Sequence, residues 1–296
     1  MKNTIFTGAG VAIITPMNED GSVNFDEFGR IIDYTIDNGA DAIVVCGTTG
    51  ESATLTHEEH TKCIDFCVNK VNKRVPVIAG TGSNHTDYAI NLSKEAEKSG
   101  ADALLLVSPY YNKTSQAGLI AHFTAIANAV DLPIILYNIP SRTGVNIQPK
   151  TMAELAKVDN IVAVKEASGN ISQVAEIAEL CGDSLDIYSG NDDQIVPLMA
   201  LGGKGVISVL ANCMPKETHD ICQYCLDNKY DEARELAFKL FDLTKALFCD
   251  VNPIPIKEAM NMMGFKAGPA RLPLVKLSDE NRERLYNSLK NVGLVK

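Results

Sequence analysis

Eight short apolar runs recur along the first two thirds of the chain, at residues 11–15, 41–46, 75–79, 102–107, 133–137, 161–165, 185–188 and 205–209. Their spacing of about 20–35 residues is the length of a strand, a helix and two loops. The runs are continuous rather than alternating, as parallel strands buried on both faces require. Helical patterns lie between them. Phe25, Phe28, Ile31, Ile32 and Thr35 form an apolar stripe at spacings of three and four. Thr56-His57-Glu58-Glu59 has the form of a capping box. Residues 87–98 and 171–180 are further crossover helices. Eight β-then-α units predict an α/β fold, a (β/α)8 TIM barrel, which needs about 250 residues. A doubly wound sheet is the alternative. It would want a Gly-rich phosphate turn after the first strand, and Thr15-Pro16-Met17-Asn18 is not one.

Beyond residue 210 the pattern is helical only, at 217–228, 230–248, 255–263 and 279–291. This predicts a catalytic barrel over residues 1–225 and a C-terminal helical extension over 226–296. The chain carries 27 Lys and Arg against 37 Asp and Glu, a net charge of −10. An acidic balance argues against nucleic acid or an anionic membrane surface as partner. No apolar run reaches the ~20 residues of a membrane span. The apolar start of the chain is broken by Gly8 and Gly10 and shows no small-residue cleavage site, so export is not expected. The eight cysteines are read as cytoplasmic thiols. Cys222 and Cys225 fall on an apolar helical face, as do Cys63 and Cys67, and no second pair completes a zinc site. His57 and His60 are three apart rather than the four of a zinc-protease helix, so no metal is expected.

In a barrel the chemistry sits where the strands end. Lys165 ends the sixth run with no intervening turn residue. Period-two geometry puts Ile161, Ala163 and Lys165 on one face. If that face is the barrel interior, desolvation disfavours the ammonium. A lysine near 10.4 is about 0.04% neutral at pH 7, and one lowered to ~8 is about 10% neutral. That is the gain an imine-forming lysine needs. From strand position alone, an amine that snorkels to solvent is the competing reading. Tyr137 ends the neighbouring run with inward parity, where a phenol can move protons beside such an amine; packing in the core is its plain alternative. Arg142 lies in a loop where a guanidinium can grip a carboxylate, or simply face water. Gly47-Thr48-Thr49-Gly50 offers two hydroxyls and backbone N–H groups to a small anion. Gly80-Thr81-Gly82 meets His85 where a dinucleotide fingerprint wants glycine.

Taken together, Gly47-Thr48-Thr49-Gly50-Glu51-Ser52, Tyr110-Tyr111-Asn112, Tyr137-Asn138-Ile139-Pro140-Ser141-Arg142-Thr143-Gly144, Val164-Lys165-Glu166 and Ser189-Gly190-Asn191-Asp192 resemble the dihydrodipicolinate synthase family. The likeness extends to Asn252-Pro253-Ile254-Pro255-Ile256-Lys257 and Arg271-Leu272-Pro273-Leu274. It implies condensation of pyruvate with L-aspartate 4-semialdehyde on the route to L-lysine, through an imine on Lys165 and without a separate cofactor. By the same resemblance Thr48, Tyr137 and Tyr111 form a proton relay. Thr49 holds the pyruvate carboxylate, Arg142 meets the semialdehyde carboxylate, and Gly190 and Ile207 line the pocket. The resemblance also implies a dimer or dimer of dimers in which Tyr111 serves the neighbouring site. Thr114 stands where relatives often have proline, a change expected to loosen the loop carrying Tyr111. An N-acetylneuraminate lyase-like aldolase would usually have Ser-Thr at positions 48 and 49 and lack Arg142. A non-catalytic small-molecule-binding barrel would break the constellation. In lysine-sensitive relatives the residues matching Ser52, Ala53, His57, His60, Asn84 and Tyr110 hold the inhibitor. Tyr88 replaces the glutamate that pairs with its ammonium, so weak or absent feedback is expected.

Overall fold

The structure, a computed structural model, describes residues 3–296. Eight parallel strands close into a barrel in chain order: β1 (Gly8–Ala12), β2 (Ala42–Val45), β3 (Val77–Gly80), β4 (Ala103–Val107), β5 (Ile134–Asn138), β6 (Ile161–Glu166), β7 (Asp186–Ser189) and β8 (Gly205–Ser208). Side chains alternate between two buried layers. Val44, Ile78, Leu105, Ile135, Tyr137 and Ile207 fill the barrel, while Val11, Ile43, Leu104, Leu136, Val164 and Val206 meet the surrounding helices. Both faces being apolar is why the runs read as continuous.

The first strand lies earlier than residues 11–15. The reason is the seam between β1 and β8, where Gly8 pairs with Gly205. A Cβ on Gly205, at φ +155°, would fall onto the Gly8 carbonyl oxygen. Only glycine permits that approach. A second departure concerns β6. The register with β5 slips between Ile134 and Ile135, so Ile161 packs outward and Val162 joins Ala163 in the barrel. Ile161 therefore does not share the inward face with Lys165 as strict alternation predicts.

The helices obey their local signals. Thr56 and Glu59 exchange both bonds of a capping box at the start of His57–Val71. Phe28, Ile31, Ile32 and Thr35 are buried on the helix Phe25–Asp37, with Phe25 packed against the same core. Cys63, Cys67, Cys222 and Cys225 are buried unpaired thiols. The single helix expected at 230–248 is broken at Leu240 into Tyr230–Lys239 and Phe241–Ala246. Leu240 at the break, and Leu243 and Leu247 beyond it, are buried in the core. Among the described residues, no helix is long and apolar enough to cross a membrane.

Candidate active site

Register brings the ends of β5 and β6 together, Tyr137 beside Lys165 and Asn138 beside Glu166. On the outer side a closed set of bonds fixes both ends. Glu166 accepts from the Ser168 N–H at 2.7 Å and from Asn138 Nδ2 at 3.0 Å. Asn138 also donates to Asn146 Oδ1 at 2.8 Å, and Asn146 to Gln173 Oε1 at 2.7 Å. On the inner side Lys165 is 6% exposed, and its Nζ stands 4.3 Å from the centre of the Tyr137 ring. Burial pushes the amine down to about 8; the Asp192 carboxylate opposes that shift and the Arg142 guanidinium adds to it. Burial likewise raises the Tyr137 phenol to about 12, against Arg142 and a hydrogen bond with Thr48. Gly190 leaves room for the lysine stem: a Cβ there would lie 3.0 Å from Lys165 Cε. Ile207 fills the barrel beside this group.

Sequence places Asp192 in a motif without giving it a role. It is a buried carboxylate whose Oδ2 accepts from the N–H groups of Val209 and Leu210 at 3.1 and 2.9 Å. Burial raises it from the usual carboxylate range, and the charges of Lys165 and Asp192 each favour the other.

The loop after β2 presents Thr48 and Thr49. Its later N–H groups are used internally, Gly50 and Ser52 to the Gly47 carbonyl and Glu51 to that of Thr48. The N–H groups of Gly47, Thr48 and Thr49 have no partner among the described residues, which narrows the anion cradle to those three. The loop turns on Glu51 at φ +55°, a left-handed conformation costly for a non-glycine residue. An ion pair that sequence reasoning missed holds it there. Glu51 Oε1 accepts from Lys257 Nζ at 2.6 Å and Oε2 from the Arg271 N–H at 2.8 Å. The Arg271 guanidinium reaches Glu59, which it holds down at about 2. Lys257, directly after the apolar run Ile254-Pro255-Ile256, was the available signal.

A cleft of about 450 Å³ opens above these residues, lined among others by Thr48, Ser52, His60, Tyr88, Arg142 and Asn252. Arg142 lies on the short helix Pro140–Thr143 and donates through Nη2 to the Asn252 carbonyl at 3.1 Å. Asn252, another residue given no role from sequence, donates its amide to Thr49 Oγ1 at 3.0 Å. That bond uses the Thr49 oxygen as an acceptor and leaves its O–H to donate. Of the residues matched to the lysine site, Ser52, Ala53, His60, Tyr88 and Tyr110 line this cleft. Asn84 joins it by donating to the Tyr110 carbonyl at 3.1 Å. His57 Nδ1 lies 3.4 Å from the Tyr88 hydroxyl, and its Nε2 lies 3.2 Å from Glu95. His60 Nε2 lies 2.8 Å from the Gly80 carbonyl, so it carries the proton. Tyr111 is not brought to the site. It is 91% exposed at φ +67°. Thr114 packs its hydroxyl over Gly118. A larger cleft of about 740 Å³, lined by Met17, Phe265, Lys266 and Arg282 among others, contains none of the strand-end residues.

The model of the dihydrodipicolinate synthetase family matches residues 5–292. A 4-hydroxy-tetrahydrodipicolinate synthase from Caldicellulosiruptor bescii is 57% identical over 291 residues, covering 98% of each chain. The chloride-inhibited dihydrodipicolinate synthase from Acinetobacter baumannii, solved in complex with pyruvate, superposes at a TM-score of 0.97 and 44% identity, over 99% of this chain and 100% of that one. A homologous structure from Cyanidioschyzon merolae with lysine bound gives 0.96 and 41%, over 99% and 100%.

Proposed function

The chain belongs to the dihydrodipicolinate synthetase family, and on that premise we propose that its barrel condenses pyruvate with L-aspartate 4-semialdehyde as a 4-hydroxy-tetrahydrodipicolinate synthase. The observation that carries this reading is an amine near 8, buried at a strand end and stacked on a phenol. The neutral Lys165 amine attacks the pyruvate ketone, water leaves, and an iminium forms. Thr49 and the adjacent N–H groups hold the pyruvate carboxylate. Loss of a methyl proton gives an enamine, whose carbon attacks the aldehyde of the second substrate. Its oxygen takes a proton, with Tyr137 and Thr48 as the relay. The amino group then attacks the imine carbon, closes the ring and frees Lys165. Arg142 receives the second carboxylate.

We further place the chain in the cytoplasm, consistent with its free thiols, and in at least a dimer that brings Tyr111 into a neighbouring relay. The testing experiment is borohydride reduction with pyruvate, and then peptide mapping. A stable adduct is expected on Lys165. Lys165→Ala should abolish it, and Lys165→Arg should do no better, because a guanidinium stays protonated. An adduct on another lysine would overturn the assignment.

A further inference from the structure

An amino aldehyde presents a carboxylate, an aldehyde and an ammonium. In the proposed condensation, Arg142 answers the first and the enamine on Lys165 the second. The ammonium needs an acceptor. Among the described residues lining the cleft, Glu51 is the only carboxylate, and its two oxygens are already taken by Lys257 and the Arg271 N–H.

Asn252 offers one. It is buried, lines the cleft, and touches both ends of the substrate path, Thr49 through its amide nitrogen and Arg142 through its carbonyl. Its side-chain oxygen Oδ1 is buried with no hydrogen-bond partner. A buried acceptor left unmatched is costly, and folds rarely keep one without use. We propose that Asn252 Oδ1 accepts the ammonium of the amino aldehyde and so makes Asn252 a specificity-determining residue, an inference that rests on the proposed condensation.

A neutral acceptor suits the ring-closing step. The same nitrogen must shed a proton before it attacks the imine carbon. A carboxylate would bind the ammonium more tightly and hold that proton, whereas an amide oxygen orients the group without a full counter-charge.

The test compares wild type, Asn252→Ala and Asn252→Asp. It measures KM for L-aspartate 4-semialdehyde and for pyruvate, and Ki for succinate semialdehyde, the same aldehyde without its amino group. Asn252→Ala should raise KM for the amino aldehyde by about 10-fold or more, with pyruvate KM and succinate semialdehyde Ki moving by less than about 3-fold. Asn252→Asp should hold or lower KM for the amino aldehyde while kcat falls. Equal losses for the aldehydes with and without the amino group would overturn the inference and leave Asn252 as a brace for Thr49 and Arg142. If Asn252→Ala does not fold, Asn252→Asp decides alone: an unchanged kcat with an unchanged ratio between the two aldehydes overturns it. Failure of the wild type to trap pyruvate on Lys165 would instead defeat the underlying condensation.

Discussion

In the proposed mechanism the Lys165 amine must be neutral to attack a ketone, and it is held where burial disfavours its charge. Below pH 8 the trapping rate should rise about tenfold per pH unit, tracking the neutral fraction, and level off above it. Arg142 pushes the Lys165 pKa down, so Arg142→Ala should let it rise and move that limb to higher pH. The same substitution should raise KM for the semialdehyde roughly 10- to 150-fold and leave pyruvate far less affected. Equal effects on both substrates would assign Arg142 to the loop rather than the ligand. The buried ammonium also costs stability. Its folded pKa, about 8, lies below the unfolded 10.5, so at neutral pH both states are protonated and the folded one bears the penalty. Lys165→Met should therefore gain on the order of 3 kcal/mol at pH 7 by chemical denaturation, a gain that shrinks between pH 8 and 10.5 as the wild-type amine is freed. Lys165 and Tyr137 were legible in the sequence because each closes an apolar run. Asn252 was not, because Thr49 and Arg142 lie 203 and 110 residues away from it.

Elements show the same division between local and distant information. Strand number, order and parallel character could be read from the runs because burial on both faces leaves a mark at every position. The seam at Gly8 and Gly205 could not, since glycine reads as weak strand until the partner backbone is in place. The slip between β5 and β6 and the break at Leu240 likewise answer to packing rather than propensity. The pairing of Glu51 with Lys257 spans 206 residues and clamps the threonine loop to the C-terminal helices. Burial lowers the Lys257 amine, and Glu51 holds it charged. Lys257→Met leaves the Glu51 carboxylate buried without its ammonium and should cost about 3–5 kcal/mol. It should also raise pyruvate KM, because Thr48 and Thr49 ride on the loop that Glu51 turns. Adding Glu51→Gln should recover part of the stability. A single variant as stable as wild type would show that Arg271 alone suffices.

At the scale of the whole molecule, one feature of the 450 Å³ cleft and one on the exposed surface bear on control and assembly. Tyr88 offers a phenol where an amino-acid ammonium would want a carboxylate, and Glu95, with Oε1 against His57 and Oε2 buried without a partner, does not line the cleft. Wild type should respond weakly to L-lysine, and Tyr88→Glu should lower the half-inhibiting concentration roughly 5- to 150-fold. Strong wild-type inhibition unchanged by the substitution would remove Tyr88 from control of the site. The second feature is Tyr111, whose left-handed backbone projects its ring into solvent from a loop held by Asn84 and Asn112. Asn112 Nδ2 donates to the Asn84 carbonyl at 2.9 Å, so the projection is braced rather than slack. A bulky aromatic residue held outward at a cost in backbone energy motivates the hypothesis that something receives it. If that something is a second copy's relay, one chain can lend Tyr111 while the other supplies Lys165. Mixed Tyr111→Phe and Lys165→Ala chains, each inactive alone, should then recover activity after subunit exchange, because a hybrid dimer contains one site with both residues intact. With random exchange half of the dimers are hybrids and one site in each works, so recovery should approach about a quarter of wild type. No recovery, once exchange is verified by mass, would mean that Tyr111 serves its own chain or only packs.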